Sequence, residues 1–173
     1  LMSGHNIWVS MLAATGAGML AGLATGIFHT FMGIPAILAG ILTQLGLYSA
    51  NLKIMGKANQ AVNGNKYNLL VSLRNVKGVP FYQNTILIVA IFIVVLIAIL
   101  YWFFGTELGC SLRSTGCNPN MSRAQGINTN VCKVLGLMIS NGLVALSSAL
   151  LAQYQGFADV NMGRGAIVIG LAA

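Results

Sequence analysis

Apolar and polar positions along this chain sort into long blocks instead of the short alternations of a water-soluble fold. Four stretches, residues 7–28, 31–52, 85–104 and 134–158, carry no charged residue. Each is long enough as a helix to cross a hydrocarbon layer of roughly 30 Å. A further apolar segment opens at residue 166 and runs to 173. Only His29 and Thr30 separate the first two stretches, so they predict a tight antiparallel helical hairpin; Pro35 fits if it opens the second helix at its first position, where a missing N–H costs nothing. The third stretch has neither Gly nor Pro and is rich in Ile, Val and aromatic residues, as suits a helix facing lipid. The other three are rich in Gly, Ala and Ser. The expected class is all-α, a polytopic membrane helix bundle.

The polar blocks are unequal. Residues 53–83 hold Lys53, Lys57, Lys66, Arg74 and Lys77 with no acid, whereas residues 105–133 hold Arg113, Arg123 and Lys133 against Glu107. One span separates the two connections, so they face opposite sides, and a plain count of positive charge would place the first in the cytoplasm. Composition agrees with a membrane setting: 57% of the 173 residues are hydrophobic and 6% charged, against roughly 25% charged in soluble domains. The formal charge of +7 would suggest nucleic acid in a soluble protein. Here the basic residues lie between apolar blocks, so the bilayer accounts for them and no nucleic-acid partner is expected. The start, LMSGHNIW, has no basic region of the kind that opens a cleavable signal, and the sequence closes within an apolar run. The opening Leu and the apolar close together fit an internal piece of a longer polytopic protein.

Within the first stretch Gly18, Gly22 and Gly26 recur every four residues, and in the fourth Ser148, Ala152 and Gly156 do the same. Small residues on one face let helix backbones approach in lipid, where no hydrophobic effect drives helices together, so both rows are candidates for helix packing. Uncharged polar residues sit inside the spans, notably Thr43, Gln44, Ser140, Asn141 and Gln153. Each can bond a neighbouring helix or line a wet path for a solute. No Asp, Glu, Lys or Arg stands at mid-span, which argues against a proton relay or a voltage sensor. Cys110, Cys117 and Cys132 match neither a zinc spacing nor an even disulfide framework, and His5 and His29 lie at span edges; no metal or cofactor is expected.

One polar stretch has its own architecture. In NPNMSRAQG, Asn118 is a good N-cap, Pro119 suits the first helical position and Gly126 stands where a left-handed residue would end a two-turn helix. So short a helix needs a docking surface to be stable. The surrounding GCSLRSTGCNPNMSRAQGIN resembles the cytoplasmic loop of bacterial ABC importer permeases of the branched-chain amino acid and simple sugar type. That pattern is filled here by Gly109, Leu112, Arg113, Gly116, Asn118, Pro119, Arg123, Ala124, Gly126, Ile127 and Asn128. The likeness extends to GIPAILAGILTQLGLYSANLKIMG and SNGLVALSSALLAQYQGFADVNMG, and so over most of the chain. Cys117, Gln125 and Arg164 depart from it, standing where an acidic residue, Leu and an apolar or small residue are usual.

The resemblance implies a single transmembrane permease domain over residues 1–173, with a coupling loop at 105–133. Its short helix would dock on a partner ATPase through Asn118, Pro119, Met121, Arg123, Ala124 and Gly126. It also implies that this loop is cytoplasmic, against the plain charge count, and that the subunit works with an ATP-binding subunit, an extracytoplasmic substrate-binding protein and a second permease copy in the cytoplasmic membrane of a bacterium. The chain has no G-x-x-x-x-G-K-[ST] phosphate loop, so it would be a transport subunit and not itself an ATP-hydrolysing enzyme. The absence of charge along the spans favours a zwitterionic amino acid or a neutral solute. Two other readings stay open on the residues alone: a fragment of a secondary transporter, from which mid-span charges for ion coupling would be expected, and a non-transporting membrane scaffold, which would leave the capped basic helix without a purpose.

Overall fold

The computed structural model describes residues 7–57, 59–61, 85–161 and 163. In chain order the elements are α1 (Ile7–Thr30), α2 (Ala36–Met55), β1 (Asn59–Ala61), α3 (Thr85–Gly105), α4 (Glu107–Cys117), α5 (Pro119–Ala124), α6 (Thr129–Gln155) and β2 (Phe157–Asp159). Three of them, α1, α2 and α6, are long and apolar enough to cross a membrane; α3 and α4, bent by 79° against each other, are long and apolar enough together to make a fourth. The segment expected at 166–173, and Lys66, Arg74, Lys77 and Arg164, lie outside the described residues.

The bundle is organised around one helix pair. The antiparallel helices α1 and α6 pack along most of their length, and the glycines of α1 lie where the backbones meet. A Cβ built on Gly18 would fall 2.7 Å from the Asn141 carbonyl oxygen, one on Gly22 2.8 Å from Met138 Cα, and one on Gly26 3.1 Å from Val134 Cα. As α1 advances, its partners on α6 recede in number, so the end of α1 lies beside the start of α6. The approach is reciprocal at Gly142, where a Cβ would come 2.8 Å from Met19 Cγ.

Contact between α1 and α2 is sparser. The Thr25 and Thr43 hydroxyl oxygens meet at 2.9 Å, and each also lies within reach of the carbonyl four residues earlier in its own helix, so the single hydrogen of Thr25 is shared between the two acceptors. At the turn between them, His29 Nδ1 lies 2.9 Å from the Ile34 carbonyl oxygen. A carbonyl only accepts, so Nδ1 carries the hydrogen and donates. Most of the outer face of α2, including Ile37, Leu38 and Ile41, is exposed. The α3 helix meets α1 through Trp8 and Phe92, whose rings are 6.4 Å apart, and presents Ile91, Val94, Val95 and Ile97 outward.

At the far ends of α2 and α6, β1 and β2 pair antiparallel with Asn59 opposite Asp159 and Ala61 opposite Phe157. This ribbon ties the end of α2 to the end of α6. The turn at 31–35 and the α4–α5 corner lie at the opposite end of the bundle.

The boundaries differ from those expected: α1 runs on to Thr30 and α2 to Met55, past the expected ends at 28 and 52, and three larger differences have a local cause. The second helix starts at Ala36, not near residue 31, because Gly33 takes a left-handed φ of +68° and Pro35 sits just before the helix as its cap, not at its first position. The last long helix starts at Thr129, not Val134, because Asn128 caps it by accepting from the N–H groups of Asn130 and Val131; it stops at Gln155, where Gly156 turns left-handed at φ +72°. Residues 107–117, expected to be part of a loop, form α4. Thr106 caps it, and Gly109 lies against the last turn of α3, where a side chain would strike the Phe104 backbone.

Candidate functional site

Two features at different depths carry chemistry: a corner of short helices at one end of the bundle, and a polar cleft along the spans.

At the corner, one residue serves two helices. Asn118 closes α4, its N–H bonding the Ser114 carbonyl, and opens α5, its side-chain oxygen accepting from Asn120 and Met121 N–H at 3.1 Å each. Pro119 follows at the first position of α5. Past Gln125, Gly126 takes φ +82°, the Ile127 N–H reaches the Ser122 carbonyl and the Gly126 N–H the Arg123 carbonyl. This paired closure is a Schellman ending, available to Gly at almost no steric cost. The result is a two-turn helix with both ends satisfied.

The short helix has a fixed inner side. Ser122 is 1% exposed; its hydroxyl bonds the Asn118 carbonyl and meets Ser114 Oγ at 3.3 Å. Arg123 Nε donates to Thr129 Oγ1 at 2.9 Å, reaching the first turn of α6. Outward lie Met121, 60% exposed, with Asn120, Ala124 and Gln125. The corner therefore offers a small, mostly uncharged face with Arg123 at its margin.

The cleft runs between α2 on one wall and α1 and α6 on the other, with a volume of about 620 Å³. Its polar lining is Thr25, Thr43, Gln44, Tyr48, Asn51 and Asn141, set among Ala, Gly, Leu and Val. Asn141 Nδ2 donates to the Leu137 carbonyl one turn back, which turns its oxygen away from its own helix as an acceptor. The lining holds hydroxyls and amides and no ionisable group besides Tyr48. Such a wall can bond a neutral or zwitterionic solute without adding a net charge of its own.

Of the polar residues singled out along the spans, Thr43, Gln44 and Asn141 share this cleft, whereas Ser140 and Gln153 do not. Ser140 is exposed on another side of α6. Gln153 is 2% exposed beside a separate apolar cavity of about 240 Å³ that Met11, Ala14 and Ala152 also line, and its Oε1 finds no partner among the described residues. In the small-residue row of α6, Ser148 is exposed and Gly156 stands just past the helix as its left-handed end. The face that meets α1 uses Val134, Met138, Asn141, Gly142 and Ala145. Thr25 and Tyr48 in the cleft, and Ser122 and Thr129 at the corner, had not been singled out. Thr25 lies on the same helix as the glycine row and one position before Gly26, the one sequence signal that could have drawn notice.

Cys110 and Cys117 are exposed and Cys132 half-buried, all as free thiols. Among the described residues no group of His, Cys, Asp and Glu is arranged to hold a metal ion.

A bundle of apolar spans with a capped helix at one end defines a multi-pass membrane protein. The chain belongs to the family described as branched-chain amino acid transport system / permease component, whose pattern matches residues 1–173. It is 42% identical over 173 residues to a tyrosine transport system permease protein of Clostridioides difficile, covering 100% of this chain and 55% of that protein. An uncharacterized protein of Rickettsia prowazekii is 35% identical over 159 residues, 90% of this chain and 54% of that one. An autoinducer 2 import system permease protein of Salmonella paratyphi B is 26% identical over 174 residues, covering 48% of its own length. The chain thus spans about half the length of the relatives it matches. No solved structure matches it.

Proposed function

We propose that this chain is part of the permease subunit of a binding-protein-dependent ABC importer, moving a small solute across the cytoplasmic membrane at the expense of ATP hydrolysed by a separate subunit. The observation that carries the reading is the corner: a two-turn helix, capped at both ends, held at the tip of a spanning bundle with a small outward face. Its outward residues Met121 and Ala124 would seat in a groove of the ATPase, and Asn118, Pro119 and Gly126 give the helix its shape. Arg123 adds a positive charge at the margin of the contact. A substrate-binding protein would act at the ribbon end, and a second permease copy would complete the transporter.

An amino acid is the favoured solute. Support comes from the uncharged polar lining of the cleft and from the similarity to a permease named for tyrosine transport. In this reading Thr43, Gln44 and Asn141 line the path. The experiment is uptake by the complete complex, with its ATPase and binding protein, in proteoliposomes. Uptake should require ATP inside or outside according to orientation, and Gln44→Leu should raise KM by about 2- to 12-fold, the effect of losing one neutral hydrogen bond of 0.5–1.5 kcal/mol. Uptake driven by an ion gradient without ATP would instead support a secondary transporter.

Orientation has its own check. With the corner in the cytoplasm, the exposed thiols Cys110 and Cys117 should react with an impermeant maleimide in inverted vesicles and stay unlabelled in intact cells. The reverse pattern would put the corner outside and leave no place there for an ATPase.

A further inference from the structure

The contact between Arg123 and Thr129 has no role in shaping the short helix, whose ends are already satisfied by Asn118 and Gly126. It joins α5 to a different element. We infer that Arg123 and Thr129 form a pin that makes α5 and the start of α6 move as one body, so that displacement of α5 is delivered to the cleft wall. This rests on the coupling role proposed above and adds the route by which the movement travels.

The need for a pin follows from the connection. Between the last residue of α5, Ala124, and the first of α6, Thr129, the chain runs through Gln125, Gly126, Ile127 and Asn128. Each residue contributes two soft dihedrals, and Gly126 is the least restricted of them. Gln125, Gly126 and Ile127 bond back to α5 and Asn128 caps α6, so the free joint is the Ile127–Asn128 junction, about which α5 could swing while α6 stayed still. The Nε–H···Oγ1 bond closes residues 123–129 into a ring at 2.9 Å. Its acceptor is well held, since Thr129 is 2% exposed and sits at the first, capped position of α6.

The guanidinium suits two tasks at once. It has five N–H donors in a planar fork, and Nε spends one. The four on the terminal nitrogens remain for a partner, which fits the exposure of the Arg123 side chain as a whole. A charge at the margin of α5 and a bond into α6 are thus compatible, and one residue serves both.

Beyond the pin the structure is stiff in one direction and loose in another. Close packing of Gly18, Gly22 and Gly26 against α6 makes α1 and α6 a unit that cannot shear easily. The opposite wall of the cleft, α2, meets that unit through sparser contacts, among them the Thr25–Thr43 hydroxyl pair. A push on α5 therefore moves Asn141 relative to Gln44 and changes the width of the cleft. On the other flank, the Ser114–Ser122 hydroxyl pair holds α5 to α4, so that the corner moves as a block.

The test uses the assembled complex of the full permease, its ATPase and its binding protein, and reads solute moved per ATP hydrolysed together with assembly by pull-down. Thr129→Val keeps the shape of the side chain and removes the acceptor. It should assemble and lower the transport-to-hydrolysis ratio by about 5- to 150-fold, the usual span of coupling between two sites. Thr129→Ser should retain the native ratio. Arg123→Lys keeps the positive charge but not the Nε donor, and on this exposed residue it threatens folding least; it should resemble Thr129→Val. If Thr129→Val does not assemble, Arg123→Lys decides alone. A native ratio in Arg123→Lys overturns the pin, and so does a native ratio in an assembled Thr129→Val. Should either occur while Ala124→Trp still uncouples, the pin fails and the coupling role of α5 stands; if Ala124→Trp also transports normally, the coupling role itself has failed.

Discussion

Ala124→Trp should leave the permease inserted and folded but reduce uptake at least thirtyfold, the order expected when about 2 kcal/mol is lost at a docking hot spot. Ala124 closes α5 on its outward side and is exposed, whereas the inner side is occupied by buried Ser122. An indole at this exposed position therefore has solvent on the bundle's side and finds its obstacle in the partner's groove. Trp is a moderate helix former, and Gln125 and Gly126 still close the helix behind it. Gly126→Val should give a milder form of the defect by a different route. Its φ of +82° costs a β-branched residue about 1–2 kcal/mol, so the closing turn shifts and takes Met121 and Ala124 out of position. The measurements are membrane content of the permease, copurification of the ATPase and stimulation of hydrolysis by loaded binding protein. Ala124→Trp at native uptake with the ATPase bound would end the coupling role.

The long apolar blocks were legible because a bilayer admits few alternatives to a helix. So was α5, since Asn118, Pro119 and Gly126 each state a backbone requirement at a defined position. What escaped was set by tertiary contact. Helix α4 contains Gly109, Ser111, Ser114, Thr115 and Gly116, residues of modest helix propensity in a short polar segment. It holds because Thr106 caps it and Gly109 lets it fold back on the end of α3, a relation that no window of sequence displays. Lys133 marks the edge of the uncharged block, whereas the cap of α6 lies five residues earlier at Asn128. Gln153 was grouped with Asn141 by polarity alone. Twelve residues at about 100° each put them roughly 120° apart around α6, so they could not line one cleft, and this was available from helical geometry without a structure. Thr129 carries no signal, since a threonine opening a helix is ordinary and no spacing in the sequence pairs it with Arg123.

Gly22→Leu should be the most damaging single change in the spans, because what lies opposite Gly22 is backbone. A Cβ there would stand 2.5 Å from the Leu137 carbonyl oxygen and 2.8 Å from Met138 Cα, so even Gly22→Ala cannot be absorbed by turning a side chain. The helices must separate, and the loss extends to contacts along the whole α1–α6 seam. Overpacking of this kind costs about 1–3 kcal/mol. The neighbours rank themselves. At Gly26 the nearest atoms are Val134 Cα at 3.1 Å and two methyl groups, which can yield, so Gly26→Ala should cost less than Gly22→Ala. Gly16 has no atom within 4 Å of its built Cβ, so Gly16→Ala should be neutral or slightly stabilising, since Ala is the better helix former by about 1 kcal/mol. Thermal melting of the assembled transporter in detergent should order the alanine variants as Gly16 highest, Gly26 intermediate and Gly22 lowest, with Gly22→Leu below them all. Equal melting of Gly22→Ala and Gly16→Ala would mean that α1 and α6 do not meet along this row, and the stiff unit through which α5 is argued to act would be lost with it.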